Sequence, residues 1–163
     1  MKILLVSDTH GDKAALEALI ERYANQVQLI CHMGDHDGDL HTLQSRWSGV
    51  PKLIMTAVSG NCDYGGAFQK EQILKLYSRK VLLTHGHHQR VKSGLDRLGY
   101  YAKEKGMDTC FFGHTHVPVI QWVGGVFLMN PGSLCEPRGG SLGSYGLAEI
   151  FPNGEISGEI MYI

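Results

Sequence analysis

The feature that most constrains this chain is an unbroken apolar run, Ile3-Leu4-Leu5-Val6, halted by Ser7-Asp8-Thr9-His10. A strand with one face in water alternates apolar and polar residues. A run without alternation is buried on both faces, as interior strands of a parallel sheet are. Gln28 to Met33 is a second such run and ends at Gly34-Asp35. Between the two, Asp12 is placed to cap a helix whose Leu16, Leu19, Ile20 and Tyr23 recur at helical spacing. Strand, helix and strand within about thirty residues predict a right-handed βαβ unit with parallel strands.

Further apolar runs stand at 52–58, 80–84 and 109–112, and a helix is predicted from Lys92 to Lys105 with Leu95, Leu98 and Ala102 turned inward. The rhythm then changes. Val119 to Val123 and Val126 to Asn130 flank Gly124-Gly125, a two-residue connection suited to a tight hairpin. Gly146 to Phe151 and Glu155 to Ile163 flank the turn Pro152-Asn153-Gly154. The last third is therefore expected to form antiparallel hairpins on an α/β beginning.

Composition narrows the class. The 163 residues fit one domain spanning 1–163, and 43% hydrophobic with 19% charged residues at a net charge of -1 argues against disorder and against a basic nucleic-acid groove. No stretch approaches the roughly 20 apolar residues of a membrane span, and the opening run is too short for a signal peptide. The four cysteines, Cys31, Cys62, Cys110 and Cys135, include no CxxC pair, so a cytoplasmic setting is expected.

The polar residues that follow the apolar runs are Asp8, His10, Asp35, Asn61, His85, His114 and His116. All offer oxygen or imidazole donors. In extended backbone, residues two apart point the same way, so Asp8 with His10 and His114 with His116 are each expected to grip one ion. Such a mixture suits manganese, nickel, iron, zinc or cobalt better than calcium or magnesium. Two carboxylates against two divalent ions leave about +2, an attraction for a phosphoryl group. Spacing alone leaves one ion or two open. Gly34, Gly60, Gly86 and Gly113 adjoin these positions and permit tight backbone there.

The strings DTHG, GDHDG, GNCD, THGH and GHTHVP, in this order and separation, resemble the calcineurin-like metallophosphoesterase superfamily and its small YfcE-like phosphodiesterase subgroup. The likeness runs from Ile3 to about Arg138 and includes NPGS at 130–133. It implies a four-layer α/β/β/α sandwich of two mixed β-sheets flanked by helices. It implies a dinuclear site in which Asp8, His10 and His116 hold one metal, Asn61, His85 and His114 the other, and Asp35 bridges them. Two divalent transition-metal ions, manganese first, would generate a shared hydroxide that attacks a small phosphate ester, most simply a phosphodiester.

The same resemblance makes Cys62 the counterpart of a leaving-group histidine in the larger phosphatases. A thiol is a weaker acid at neutral pH, so esters with acidic leaving groups are expected to react faster than alkyl esters. Cys62 and Asp63 enter as secondary catalytic candidates, Cys62 with a small residue packed by the site and Asp63 with a turn-forming or supporting role as the competing readings. His87 and Arg138 enter as substrate contacts, His87 with a satisfied surface histidine and Arg138 with a structural ion pair as the competing readings. His32, His36 and His41 read as structural or solvated. The alternative function is a protein-binding scaffold of this fold, like the vacuolar sorting subunit of retromer, which departs from the full donor set. A homo-oligomer is expected by analogy, and a nuclease is disfavoured by the lack of basic surface.

Overall fold

In the computed structural model, which describes residues 1–163, the opening run becomes β1 (Lys2–Val6) and the second run β2 (Leu29–His32), with α1 (Lys13–Tyr23) between them. The two strands pair in parallel, Ile3 beside Leu29 and Val6 beside His32. Asp12 caps α1 as its position predicts: its side chain accepts from the Ala15 N–H at 3.0 Å. The remaining elements are α2 (Asp37–Trp47), β3 (Ile54–Ala57), β4 (Glu71–Leu76), β5 (Arg79–Thr84), α3 (Asp96–Glu104), β6 (Thr109–Phe111), β7 (Val119–Val123), β8 (Val126–Asn130), β9 (Ser144–Ile150) and β10 (Ile156–Tyr162).

Ten strands divide into two five-stranded sheets, ordered β10-β9-β1-β2-β3 and β4-β5-β6-β8-β7. Each is mixed. The strands β1, β2 and β3 run parallel in the first sheet, with the antiparallel β9-β10 hairpin on one side; β5, β6 and β8 run parallel in the second, flanked by antiparallel β4 and β7. Both predicted C-terminal hairpins form, but β7-β8 completes the second sheet whereas β9-β10 joins the first by pairing with β1.

Burial explains the unbroken apolar runs. Ile3 and Leu5 face the space between the sheets, with Cys31, Met33, Val81, Leu83, Phe111 and Met129. Leu4 and Val6 face the other way, against Leu16, Leu19 and Ile20 of α1 and Leu40 and Leu43 of α2. A third cluster packs Leu98 and Ala102 of α3 on Leu82, Cys110 and Leu128 of the second sheet. The result is the expected four-layer α/β/β/α sandwich.

One predicted helix is shorter than expected. Residues 92–105 do not form a continuous helix, because Gly94 has φ 124°, a conformation no α-helix contains; a 3-10 turn, Val91–Ser93, precedes it and α3 begins at Asp96. No helix is long and apolar enough to cross a membrane.

Candidate metal centre

All the parallel strands deliver their carboxyl ends to one edge of the sandwich, where ligands gather in α/β sheets. Asp8 and His10 follow β1, Asp35 follows β2, Asn61 follows β3, His85 follows β5, and His114 and His116 follow β6. Five of these residues have positive φ: Asp8 52°, His10 46°, Asp35 57°, His114 69° and His116 59°. Non-glycine residues in that region cost about 1–3 kcal/mol each, so the surroundings must hold them there. The expectation of extended DxH and HxH pairs is therefore corrected. The turns are left-handed; Asp8 and His10 still meet in one donor group, as expected, whereas His114 and His116 fall in different ones.

Backbone and side chains share the work of holding the loops. The Asp8 N–H donates to Gly34 O at 3.0 Å, His114 N–H to Asp8 Oδ2 at 3.1 Å, and Ser133 Oγ to Asp8 O at 2.8 Å. Asn130 Nδ2 donates to Gly113 O at 2.8 Å. Glycine is required at Gly60, because a Cβ there would collide with the Asp35 carboxylate and backbone.

One group of donor atoms, from Asp8, His10, Asp35 and His116, lies within 4.8 Å of one another, and a second, from Asp35, His85 and His114, within the same limit. Asp35 belongs to both. Asn61 Oδ1 lies 3.2 Å from His85 Nε2, so all seven expected donors meet at one edge. Asp8 and His85 are wholly buried, and Asp35 and His116 nearly so.

The donor chemistry fits cations. His85 Nδ1 donates to Met33 O and His116 Nδ1 to Glu136 O, each at 2.6 Å, which leaves each Nε2 lone pair facing the cluster. His10 Nε2 and His116 Nε2 stand 3.3 Å apart, and His85 Nε2 and His114 Nδ1 3.1 Å. Asp8 Oδ1 is buried with no hydrogen bond of good geometry, although His116 Nε2 is 3.1 Å away. The Nε2 lone pairs of His85 and His116 and the unpartnered Asp8 oxygen are satisfied together by a positive charge beside them.

The same charges shift the titration of the donors themselves. Burial would depress His85 and His116, but Asp35 and Asp8 beside the first and Asp8 beside the second outweigh it and raise both. Burial would raise Asp8, but His116, His85 and Ser7 together hold it below the ordinary carboxylate range. Asp35 is likewise lowered against burial by His85 and the Cys62 N–H. His114, desolvated and beside His85, falls to about 4.

The secondary candidates are near but differently engaged. Cys62 is exposed; desolvation and the neighbouring Asp35 push its thiol up to about 11, and its N–H donates to Asp35 Oδ1 at 2.9 Å. Asp63 accepts backbone N–H groups from the loop that carries Asp35. The His87 ring lies 5.4 Å from that of His85 and 6.0 Å from that of His114; desolvation first, then His85, lowers it to about 4, and its Nδ1 has no partner. Arg138 is exposed and forms no ion pair, contrary to that reading; its backbone N–H donates to His116 O at 3.1 Å.

Supporting residues that sequence reasoning missed form a belt behind the donors. The Gly34 N–H donates to His32 Nδ1, so His32 Nε2 carries the proton and donates to Thr9 Oγ1 at 3.1 Å, which in turn donates to Asp39 Oδ2 at 2.8 Å. That chain ties the DTHG loop to α2, and His32 is structural as expected. His36 is less remote than a solvated reading implies: its ring lies 5.6 Å from that of His10. Glu136 contributes its carbonyl to His116 and a carboxylate 3.8 Å from His10 Nε2. Of these side chains only His32 and His36 stand out in the sequence, and no pattern there marks Thr9, Asp39 or Glu136 for this role.

A family model described as the calcineurin-like phosphoesterase superfamily domain matches residues 1–151. A probable metallophosphoesterase of Bacillus subtilis, YsnB, is 35% identical over 150 residues, covering 92% of this chain and 85% of the relative. The phosphodiesterase YfcE of Escherichia coli K12 is 31% identical over 170 residues, covering 91% and 88%. A crystal structure from Streptococcus pneumoniae TIGR4, titled a conserved uncharacterized protein and "predicted phosphoesterase", superposes with a TM-score of 0.77 at 28% identity, covering 98% of this chain and 96% of that one.

Proposed function

Because this chain belongs to the calcineurin-like phosphoesterase superfamily, in its YfcE-like group, and is on that ground a phosphoric ester hydrolase, we propose that it is a phosphodiesterase with a dinuclear metal centre. The observation that carries the reading is the convergence of seven donors from both sheets onto one edge, with the Nε2 lone pairs of His85 and His116 turned into the cluster. Asp8, His10 and His116 would hold one ion, Asn61, His85 and His114 the other, and Asp35 both. When bound, divalent ions such as manganese supply Lewis acidity, lowering the pKa of water and drawing charge from the phosphoryl oxygens.

The chain's own residues supply orientation. Met33 O and Glu136 O fix the rings of His85 and His116 in one tautomer, and Ser133 and Gly34 hold the Asp8 turn. His87, neutral at pH 7, borders the second donor group as the candidate substrate contact, with its unpartnered Nδ1 buried and its ring edge the part open to solvent. Arg138, exposed and unpaired, offers a guanidinium to a phosphate at the other side. Cys62, with its thiol near 11, is a poor acid at neutral pH, so the leaving group must depart largely unaided. Four cysteines without a disulfide support a reducing, cytoplasmic setting. The full donor set favours this reading over a scaffold.

The direct test is hydrolysis of bis-p-nitrophenyl phosphate with added manganese or nickel. Asp35→Asn removes one charge from the residue shared by both donor groups. It is expected to abolish most turnover while leaving the circular dichroism unchanged. Undiminished turnover in that variant, loaded with metal, refutes the assignment.

A further inference from the structure

The loop after β2 sets two successive non-glycine residues, Asp35 (φ 57°) and His36 (φ 73°), in the left-handed region. A side chain from a different loop faces them. Asp63 Oδ2 accepts the N–H of Asp35 at 2.9 Å and of Gly60 at 2.7 Å, while Oδ1 accepts those of His36 at 2.7 Å and Asp37 at 3.1 Å. Three consecutive amides aimed at one carboxylate make a nest of the kind that binds anions. Here the anion is supplied by the chain itself.

The bracing runs in both directions. The Cys62 N–H donates to Asp35 Oδ1 at 2.9 Å, and Ser59 Oγ donates to Asp37 Oδ2 at 2.5 Å, an oxygen that also accepts the Phe68 N–H at 3.3 Å. Residues 35–37 and 59–63 are thereby locked together by the chain's own hydrogen bonds. Asn61 sits inside the second segment and Asp35 begins the first.

We propose that Asp63 is a positioning residue that preorganises Asp35 and Asn61, and that it is not the acid or base of the reaction. Both of its oxygens are committed as acceptors, two N–H groups each. An acid would carry a proton on one oxygen, and that proton would compete with the amides there. The consequence for metal binding rests on the dinuclear reading above. The clamp itself does not, because every hydrogen bond in it joins two groups of the chain.

The experiment uses the full-length protein with Asp63→Asn, which keeps the shape but turns an N–H toward an N–H, and Asp63→Ala, which removes every acceptor. Hydrogen exchange of the metal-free protein reads the clamp. The amides of Asp35, His36 and Asp37 are expected to exchange at least tenfold faster in Asp63→Asn, with Leu4 and Leu5 unchanged. Manganese titration reads the consequence: wild-type protein takes two equivalents, and the variant binds the second 10- to 100-fold more weakly, the usual loss when a partner behind a metal ligand is removed. Saturating metal should restore much of the variant's kcat without deleting a limb of its pH profile. Unchanged amide exchange overturns the clamp, as does a kcat that stays collapsed at saturating metal with one pH limb gone. If wild-type protein takes no metal, the dinuclear reading falls while the exchange data still judge the clamp. Should Asp63→Ala not fold, Asp63→Asn alone decides.

Discussion

His85 and His116 show how single side chains set the conditions for the site. Each has its Nδ1 tied to a carbonyl and its Nε2 turned toward a buried carboxylate, and each is raised above the ordinary histidine value by those carboxylates against the pull of burial. The sign for metal binding follows directly. Below the raised value a proton occupies the lone pair that a cation needs, so binding must expel it; above it the lone pair is free. Manganese affinity is therefore expected to rise with pH through that range by up to about tenfold per unit for each proton released, then level off. Calorimetric titration in buffers of different ionisation enthalpy measures the release directly. Affinity independent of pH from 5.5 to 8 contradicts the assignment of these two imidazoles as ligands. The donor residues themselves were legible in the sequence because each stands just past an apolar run. Their left-handed turns were not, since Asp8, Asp35 and His116 adopt positive φ only under hydrogen bonds from distant loops.

Among the elements, α1 was readable and α2 was not. Asp12 caps α1 through its side chain, and Leu16, Leu19, Ile20 and Tyr23 fill one face. The helix α2 begins at Asp37-Gly38-Asp39, has His36 in the left-handed region as an N-cap without a side-chain cap, and wholly buries only Leu40 and Leu43 among its apolar residues. Its start is fixed by the Asp63 clamp and by Thr9, contacts that no local pattern announces. The strand β4 was hidden for a related reason: it lies on a sheet edge, pairs with β5 alone, and mixes Glu71, Gln72 and Lys75 with its apolar residues. Legible helices should also be the ones whose core residues carry measurable weight. Leu16 is wholly buried under α1, between Leu4, Val6 and Leu40 in one cluster. Leu16→Ala is expected to cost about 2–5 kcal/mol in urea unfolding, because the removed methyls leave a cavity that the rigid sheet below cannot close. A loss under 1 kcal/mol would mean that α1 can slide to fill the space.

At the level of the molecule, strand content was readable but strand partnership was not. The Gly124-Gly125 and Pro152-Asn153-Gly154 turns announce two similar hairpins, yet one completes the second sheet and the other reaches back to β1. That choice is made by the core between the sheets, where Ala148 and Ile150 of β9 meet Phe127 and Met129 of β8. The same partnership decides where the donors come from. Asp8, Asp35 and Asn61 hang from the first sheet and His85, His114 and His116 from the second, so any ion they share is a tie across the sandwich. An unfolded chain cannot present these residues together, and a ligand that binds only the folded form stabilises it by RT ln(1 + [L]/Kd), about 2.7 kcal/mol at a hundredfold excess over Kd. Adding manganese to chelator-treated protein is thus expected to raise Tm by several degrees, with the increment growing logarithmically with concentration. The increment should shrink in Asp35→Asn, which weakens both donor groups at once, while the metal-free Tm changes less. A Tm indifferent to manganese in the wild-type protein would mean that the two sheets are joined by their apolar core alone and that the facing imidazoles hold protons, not ions.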